Sequence, residues 1–307
     1  MEITAKQVCG NTWCLRLPKS VVPYYHLDKK EIILLDSGSM LNGELEQWLD
    51  EQGLRVRAIL NTHDHWDHVA ANRALRAAHG AKIYLPKLEA ALHATDLGYL
   101  VEHGPGNYEK IRAFYRDFDY EVDEEIGLED GPLSVCGAVF TVIHTPGHSV
   151  DHVSFITPDR VLYVGDTLMT EDVMRHAKVS YVVSHEVDIE SKKKLLQYRD
   201  CAAYVMSHGG VEDSIDALVE ENIRYVHCRA DAIWRMIRRP MSMEEIIRQA
   251  WKQFDLRSGA YYKNVEMGNM IRVLVQYLVS TGRLECRFYD GADYYAHSKQ
   301  QEESTWN

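Results

Sequence analysis

The segment NTHDHWDH at 61–68 places three histidines and two aspartates directly behind the apolar run VRAIL at 56–60. Imidazoles and carboxylates cannot enter an apolar core without partners, so a core strand has to end where this segment begins. The same ending recurs downstream. FTVI runs into HTPGHSVDH at 144–152, VLYVGDT at 161–167 closes on Asp166, and YVMSHGG at 204–210 closes on His208. Apolar strands that each terminate in a metal-competent side chain constrain this chain more than any one match does.

Within the first segment, His63 and His65 alternate by two, so a short extended turn aims both the same way. Asp67 and His68 fall at the entry of the next helix, where a carboxylate also gains from the helix N-terminal partial charge. Such a dense set of nitrogen and oxygen donors could serve two adjacent divalent ions of the zinc, iron, manganese or cobalt type. One segment cannot complete two sites, so His148, Asp166 and His208 are the expected remaining donors. Alone, each of those three would be read as a capping or hydrogen-bonding residue; together and in order they form a set.

These residues resemble the metallo-β-lactamase superfamily, with its glyoxalase II-like and RNase Z-like hydrolases. The HxHxDH signature stands here as His63, His65, Asp67 and His68, and the later ligands correspond to His148, Asp166 and His208. The resemblance covers about residues 10 to 215 and implies an αββα sandwich, an α/β fold with metals at one edge. It implies one ion held by His63, His65 and His148, another by Asp67, His68 and His208, and Asp166 bridging them. Asp67 and Asp166 are the implied catalytic carboxylates. Two divalent ions are implied, zinc first, with iron or manganese as alternatives. His65 stands where oxygen-reducing diiron relatives carry glutamate, which favours a hydrolase. Single-iron persulfide dioxygenases keep a similar signature and stay open as a redox alternative, as does a metal-dependent nuclease or phosphodiesterase.

The rest of the chain fits this frame. Short β-like runs alternate with helical patterns over 1–85, the grammar of an α/β layered fold. Residues 87–121 interrupt it with helical, charge-bearing sequence broken by HGPGN, read as an inserted helical lid or interface element. Strands resume at LSVCG. After Gly210, a long amphipathic helix is followed by SMEEIIRQAWKQF, in which Ser242 and Glu245 have capping-box spacing. A third helix closed by Gly282 and a hairpin turning at Asp290-Gly291 complete the order of a small winged-helix-like domain. The expected division is 1–222 for the catalytic domain and 223–307 for the C-terminal one, with a loose tail from Ser298.

Several neighbours of the motifs have blander readings. Asp36, in LLDSG, is expected behind the metals; Asp151 and His152 fit a structural role as well as a site role. Asp64 is read as a surface or supporting residue, His227 as an interdomain hydrogen-bonding residue, and Tyr181 and His185 as packing residues rather than substrate contacts.

Net charge is −12, and residues 240–307 carry eight Lys+Arg against nine Asp+Glu. Phosphate-backbone binding draws on clustered cations, so nucleic acid is not favoured as a partner, and the C-terminal helices are read as packing or homodimerising elements. The expected substrate is a small ester, thioester or lactone. No signal peptide or long apolar span is evident, so no membrane partner is expected. The six cysteines are dispersed without a CxxC pair, which fits a cytoplasmic location.

Overall fold

The computed structural model describes residues 3–39, 43–95, 97–98, 100, 108–115, 118–257, 259 and 261–298. In it, the continuous apolar run EIILL forms strand β4 (Glu31–Leu35). Side chains alternate across a strand, so a run without polar interruption needs cover on both faces. Ile32 and Leu34 enter one hydrophobic layer, and Ile33 and Leu35 enter another.

The sheet containing β4 runs in the order β1 (Thr4–Cys9), β2 (Thr12–Arg16), β3 (Val21–His26), β4, β5 (Arg55–Leu60), β6 (Lys82–Pro86) and β7 (Glu124–Ile126). Pairing is antiparallel up to β4 and parallel from β4 to β7. Helices α1 (Glu44–Glu51) and α3 (Asn72–His79) cover its outer face through Leu45, Leu49 and Leu75. Between them, α2 (Trp66–Val69) is a single turn inside the histidine-rich segment. Gly80 caps α3 in the left-handed conformation, as the sequence pattern expects.

A second sheet follows, with β8 (Gly131–Val135), β9 (Ala138–His144), β10 (Val153–Ile156), β11 (Val161–Tyr163), β12 (Ala203–Met206) and β13 (Gly210–Glu212) running in reverse spatial order from β13 to β8. Phe140, Phe155, Tyr163 and Val205 meet Ile33, Leu35 and Leu60 between the sheets. Full burial of each such side chain contributes about 1.5–3 kcal/mol. Of the inserted region between the sheets, α4 (Lys87–His93) and α5 (Tyr108–Tyr115) are described. The HGPGN break and the tail beyond Ser298 lie outside the described residues.

On the far side of the second sheet, beyond the short α6 (Glu171–His176), lie α7 (His185–Leu195) and α8 (Asp216–Met236). Leu195 and Val219 of these two helices pack against Leu162 and Tyr204. Helix, sheet, sheet, helix is the layer order.

The α8 helix runs unbroken across position 222/223, where the sequence pattern divides the chain. It leads into β14 (Met241–Ser242), α9 (Met243–Gln253), α10 (Tyr261–Ser280), β15 (Leu284–Tyr289) and β16 (Ala292–His297). The Ser242–Glu245 capping box is formed in both directions. Asp290 and Gly291, at φ 48° and 77°, make the tight turn of the β15–β16 hairpin. These elements pack around Ile233, Ile246, Ile271 and Leu278. They also touch the segment after Asp166: Val182 N–H donates to Met270 Sδ at 3.1 Å, and Tyr225 OH to the Ala177 carbonyl at 2.7 Å. Among the described residues no helix is long and apolar enough to cross a membrane.

Candidate metal centre

Strands β4, β5, β9, β11 and β12 deliver Asp36, the 63–68 segment, His148, Asp166 and His208 to the same edge of the sandwich. Backbone bonds knit the loops together across the sheets: Val153 N–H donates to the Thr62 carbonyl at 3.0 Å, and Val21 N–H to that of Ser207 at 2.7 Å.

His63 Nε2 and His148 Nε2 lie 2.8 and 2.9 Å from His65 Nδ1, so three ring nitrogens converge. The far sides of the His63 and His148 rings are already engaged. His148 Nδ1 faces the Tyr181 carbonyl at 3.0 Å, which only accepts, so that nitrogen carries the proton and Nε2 carries the lone pair. Thr62 Oγ1 donates to Asp36 Oδ2 at 2.9 Å, which leaves its oxygen to accept from His63 Nδ1, also at 2.9 Å. The His63 and His148 lone pairs therefore both point at His65 Nδ1, where a cation would be met by ring nitrogens from three sides.

The second group is Asp67, His68 and His208. His208 Nε2 lies 3.2 Å from Asp67 Oδ2, and its Nδ1 faces the Lys19 carbonyl at 3.0 Å. His68 Nδ1 is 2.7 Å from Asp36 Oδ2, while its buried Nε2 lies 3.4 Å from Asp166 Oδ1. Asp166 lies between the groups, with His68, His148 and His208 ring nitrogens at 3.4, 3.6 and 3.4 Å from its carboxylate. Potential donor atoms of His63/His65/His148, of His63/His68/Asp166 and of Asp67/His68/His208 each lie within 4.8 Å of one another. The donor chemistry fits a pair of divalent ions: ring nitrogens free to coordinate, two carboxylates, and Nδ1–H groups already anchored.

Electrostatics separate the groups. Burial pushes His63 well below the ordinary histidine value and His148 down to about 3, which keeps both rings neutral as ligands must be. Burial works against charge on His68 too, but Asp166 and Asp36 push it up to about 10. Asp166 likewise raises His208 to about 12. Burial opposes ionisation of Asp67, yet its hydrogen bond to His208 and the nearby His68 bring it down to about 2. Positive charge is required there, as protons on His68 and His208 or as an ion that displaces them.

All seven sequence-predicted donors come together. Asp36 stands behind them, buried, at φ 64°, accepting from Thr62 N–H, Thr62 Oγ1 and Tyr163 OH. His152 is not aimed at the cluster as a donor: its Nε2 accepts Asp166 N–H at 3.2 Å, so it braces the loop carrying Asp166. Asp151 accepts Leu88 N–H at 2.9 Å and ties α4 to the loop that carries His148.

Asp64 is buried rather than at the surface, a correction to half of its sequence reading. It accepts from Tyr120 OH at 2.6 Å and pairs with His93 Nδ1 at 2.8 Å, anchoring the insertion. Tyr181 faces His65 edge-on at 4.8 Å between ring centroids, and lines the cavity beside the cluster. His185 packs near Tyr277, and His227 stacks on that tyrosine. Sequence reasoning passed over Thr62, Tyr163 and Ser207, whose hydroxyls orient Asp36 and Asp166; nothing in their spacing marks them.

A two-sheet sandwich with histidines and aspartates gathered at one edge defines a class of metal-dependent folds. A family model described as "Metallo-beta-lactamase superfamily" matches residues 19–208. A metallo-beta-lactamase family protein from Thermus thermophilus superposes with TM-score 0.68 at 20% identity, over 91% of this chain and 94% of that one. A beta-lactamase domain protein from Burkholderia ambifaria gives TM-score 0.70 at 18% identity, over 96% and 94% of the two chains. Among curated relatives, hydroxyacylglutathione hydrolase of Pseudomonas entomophila is 34% identical over 126 residues, 39% of this chain and 37% of that protein. The same-named protein of Idiomarina loihiensis is 30% identical over 143 residues, 47% and 44% of the two. The chain thus spans less than half the length of these curated relatives. It belongs to the metallo-β-lactamase superfamily.

Proposed function

We propose that this chain is a metal-dependent hydrolase that uses a dinuclear site against a small thioester, ester or lactone. The observation that carries the reading is the convergence of His63 Nε2, His65 Nδ1 and His148 Nε2 beside Asp67, His68 and His208, with Asp166 between them. His63, His65 and His148 would hold one ion, Asp67, His68 and His208 the second, and Asp166 would bridge. When bound, the ions supply Lewis-acid activation of water and of the scissile carbonyl; zinc suits the nitrogen-rich set, and iron or manganese would also fit.

The protein's own residues orient and enclose. Ser207 Oγ donates to Asp166 Oδ1 at 2.7 Å and fixes its carboxylate plane. Asp166 and Asp67, both ionised, orient the attacking water. Leu168, Val173, Val179 and Tyr181 give the cavity of 140 Å³ next to His148 and Asp166 an apolar wall. The names of the curated relatives favour a thioester, and a small, largely apolar cavity suits a short acyl group better than a polyanion. All six cysteines are free thiols, which suits a reducing cytoplasm.

The test compares a panel of thioesters, esters and lactones with single-stranded RNA, after chelation and after restoring zinc. Turnover of thioesters that needs the metal and is lost in His65→Ala is the expected result. Metal-dependent RNA cleavage with inert thioesters would promote a nuclease instead.

A further inference from the structure

A sheet edge presents backbone N–H and C=O groups to whatever comes near, and folded chains blunt their edges with short strands, lysine, proline or bulges. Five of the six sheet edges among the described residues follow that rule. β1 carries Lys6 and a register shift between Gln7 and Cys9, and β8 carries Pro132. β7 and β13 are three residues long, and β14 is two. β15 has none of these protections. It reads LECRFY, six residues in unbroken register with β16. Near its end Phe288 and Tyr289 are 76% and 71% exposed, more than any other large apolar side chain among the described residues.

The pairing with β16 decides which backbone groups face outward. Ser298 N–H donates to the Arg283 carbonyl at 3.2 Å, and in an antiparallel ladder every second residue repeats that bonding. Glu285, Arg287 and Tyr289 therefore exchange bonds with β16, and the two-residue turn at Asp290-Gly291 closes on Tyr289 and Ala292 as this requires. The backbone groups of Leu284, Cys286 and Phe288 point away from β16. Side chains alternate as well. Leu284 enters the core of the C-terminal elements, so Glu285, Arg287 and Tyr289 stand on the opposite face. Arg287 Nη2 reaches Glu285 Oε1 at 3.3 Å along that face.

A second β15 laid antiparallel on this edge would bond through the same outward residues. Registers centred on Glu285, Cys286 or Arg287 give more than one bonded pair. The first sets Glu285 against its own counterpart and the last does the same with Arg287, and like charges directly opposite are destabilising. The central register gives three bonded pairs, each exchanging two bonds, and sets Glu285 against the partner's Arg287 twice over. Exposed ion pairs contribute little, so the charges choose the register while backbone bonds and covered aromatic rings supply the affinity. A strand from another protein would need this same alternation of charge; a second copy carries it by construction.

We propose that β15 is a self-pairing edge: two copies of this chain join β15 to β15 antiparallel about Cys286, making one continuous sheet of two three-stranded ones. The contact lies on the hairpin rather than on the C-terminal helices, and it is independent of the metal chemistry.

Sedimentation of the full chain over a dilution series tests this. Physiological salt screens the net charge of −12 on each copy but not contacts of a few ångströms. The native chain should sediment as a reversible dimer. Glu285→Arg and Arg287→Glu each set like charges opposite one another twice, and each should weaken the dimer roughly 10-fold or more. The two variants mixed in equal amounts, and the double variant carrying both changes, restore opposite charges and should recover the native affinity. Opposed residues of a bonded pair sit about 5.5 Å apart at Cα, within disulfide reach. Diamide, which takes up the two thiol hydrogens, should therefore join the copies through Cys286. Cys286→Ser should abolish the joined species, and Cys136→Ser and Cys228→Ser, at the other exposed thiols, should not. A monomer throughout the series would overturn the assignment and leave the edge to a strand of another protein. A dimer indifferent to the single charge reversals, single variants that mixing does not rescue, or joining that survives in Cys286→Ser would overturn it too.

Discussion

Asp36 is not one of the seven candidate donors, yet it governs two of the rings that are. It faces His68 Nδ1 directly and reaches His63 through the Thr62 hydroxyl, so one carboxylate fixes which nitrogen of each imidazole is left for a metal. Asp36→Asn keeps the volume but offers one carbonyl oxygen and an amide that donates where an acceptor is needed. We expect zinc affinity to fall about 10- to 100-fold, as losses behind a ligand typically cost, with the fold retained. Competitive titration against a zinc chelator, with circular dichroism alongside, measures it; an unchanged affinity would leave Asp36 a purely structural turn residue. The sequence pointed to Asp36 because a carboxylate at a strand end is conspicuous. It did not point to Tyr163 or Thr62, since a hydroxyl on a core strand or in a turn looks the same whether or not it bonds a carboxylate.

Among the elements, α4 links the insertion to both ligand loops. Glu89 accepts from Ser149 Oγ and Asp151 N–H, while His93, at its other end, pairs with Asp64. His93 Nδ1 faces a carboxylate and its Nε2 a carbonyl, that of Tyr120 at 2.9 Å, so the ring carries both protons. Burial opposes that charge, but Asp64, with Asp119 also nearby, raises the His93 pKa. A raised value means the pairing contributes fully below the unfolded histidine pKa, about 6.5, and is lost as pH climbs through the folded value. Amide exchange, corrected for its intrinsic pH dependence, should therefore show α4 loosening above neutrality. His93→Gln should be looser at low pH and should not show that step. A pH-independent α4 in the native protein would contradict the clasp. The strands, the α8–α10 helices and the hairpin were legible because their periodicity or turn residues are local. The buried Lys192–Asp188 pair of α7 was not: ESKKKLL looks like a solvated lysine run, and only packing against Gly147 turns Lys192 inward while Lys193 and Lys194 stay at the surface.

At the scale of the whole molecule, two sheets bring strand ends from distant parts of the chain to one edge. The C-terminal elements brace the segment that walls the cavity. What the sequence could announce was the donor set, because metal ligands must be specific residue types at strand ends. What it could not announce was the α7 wall of the cavity, whose shape depends on how that helix settles on the His148 turn. The central claim is that these donors hold two ions around Asp166. Metal analysis of the zinc-reconstituted chain, after removal of loosely bound ions, tests it most directly. The account predicts close to two zinc ions per chain, with both sites weakened in Asp166→Ala but only one in His208→Ala. A single ion in the native chain, or an Asp166→Ala protein that retains two, would contradict it.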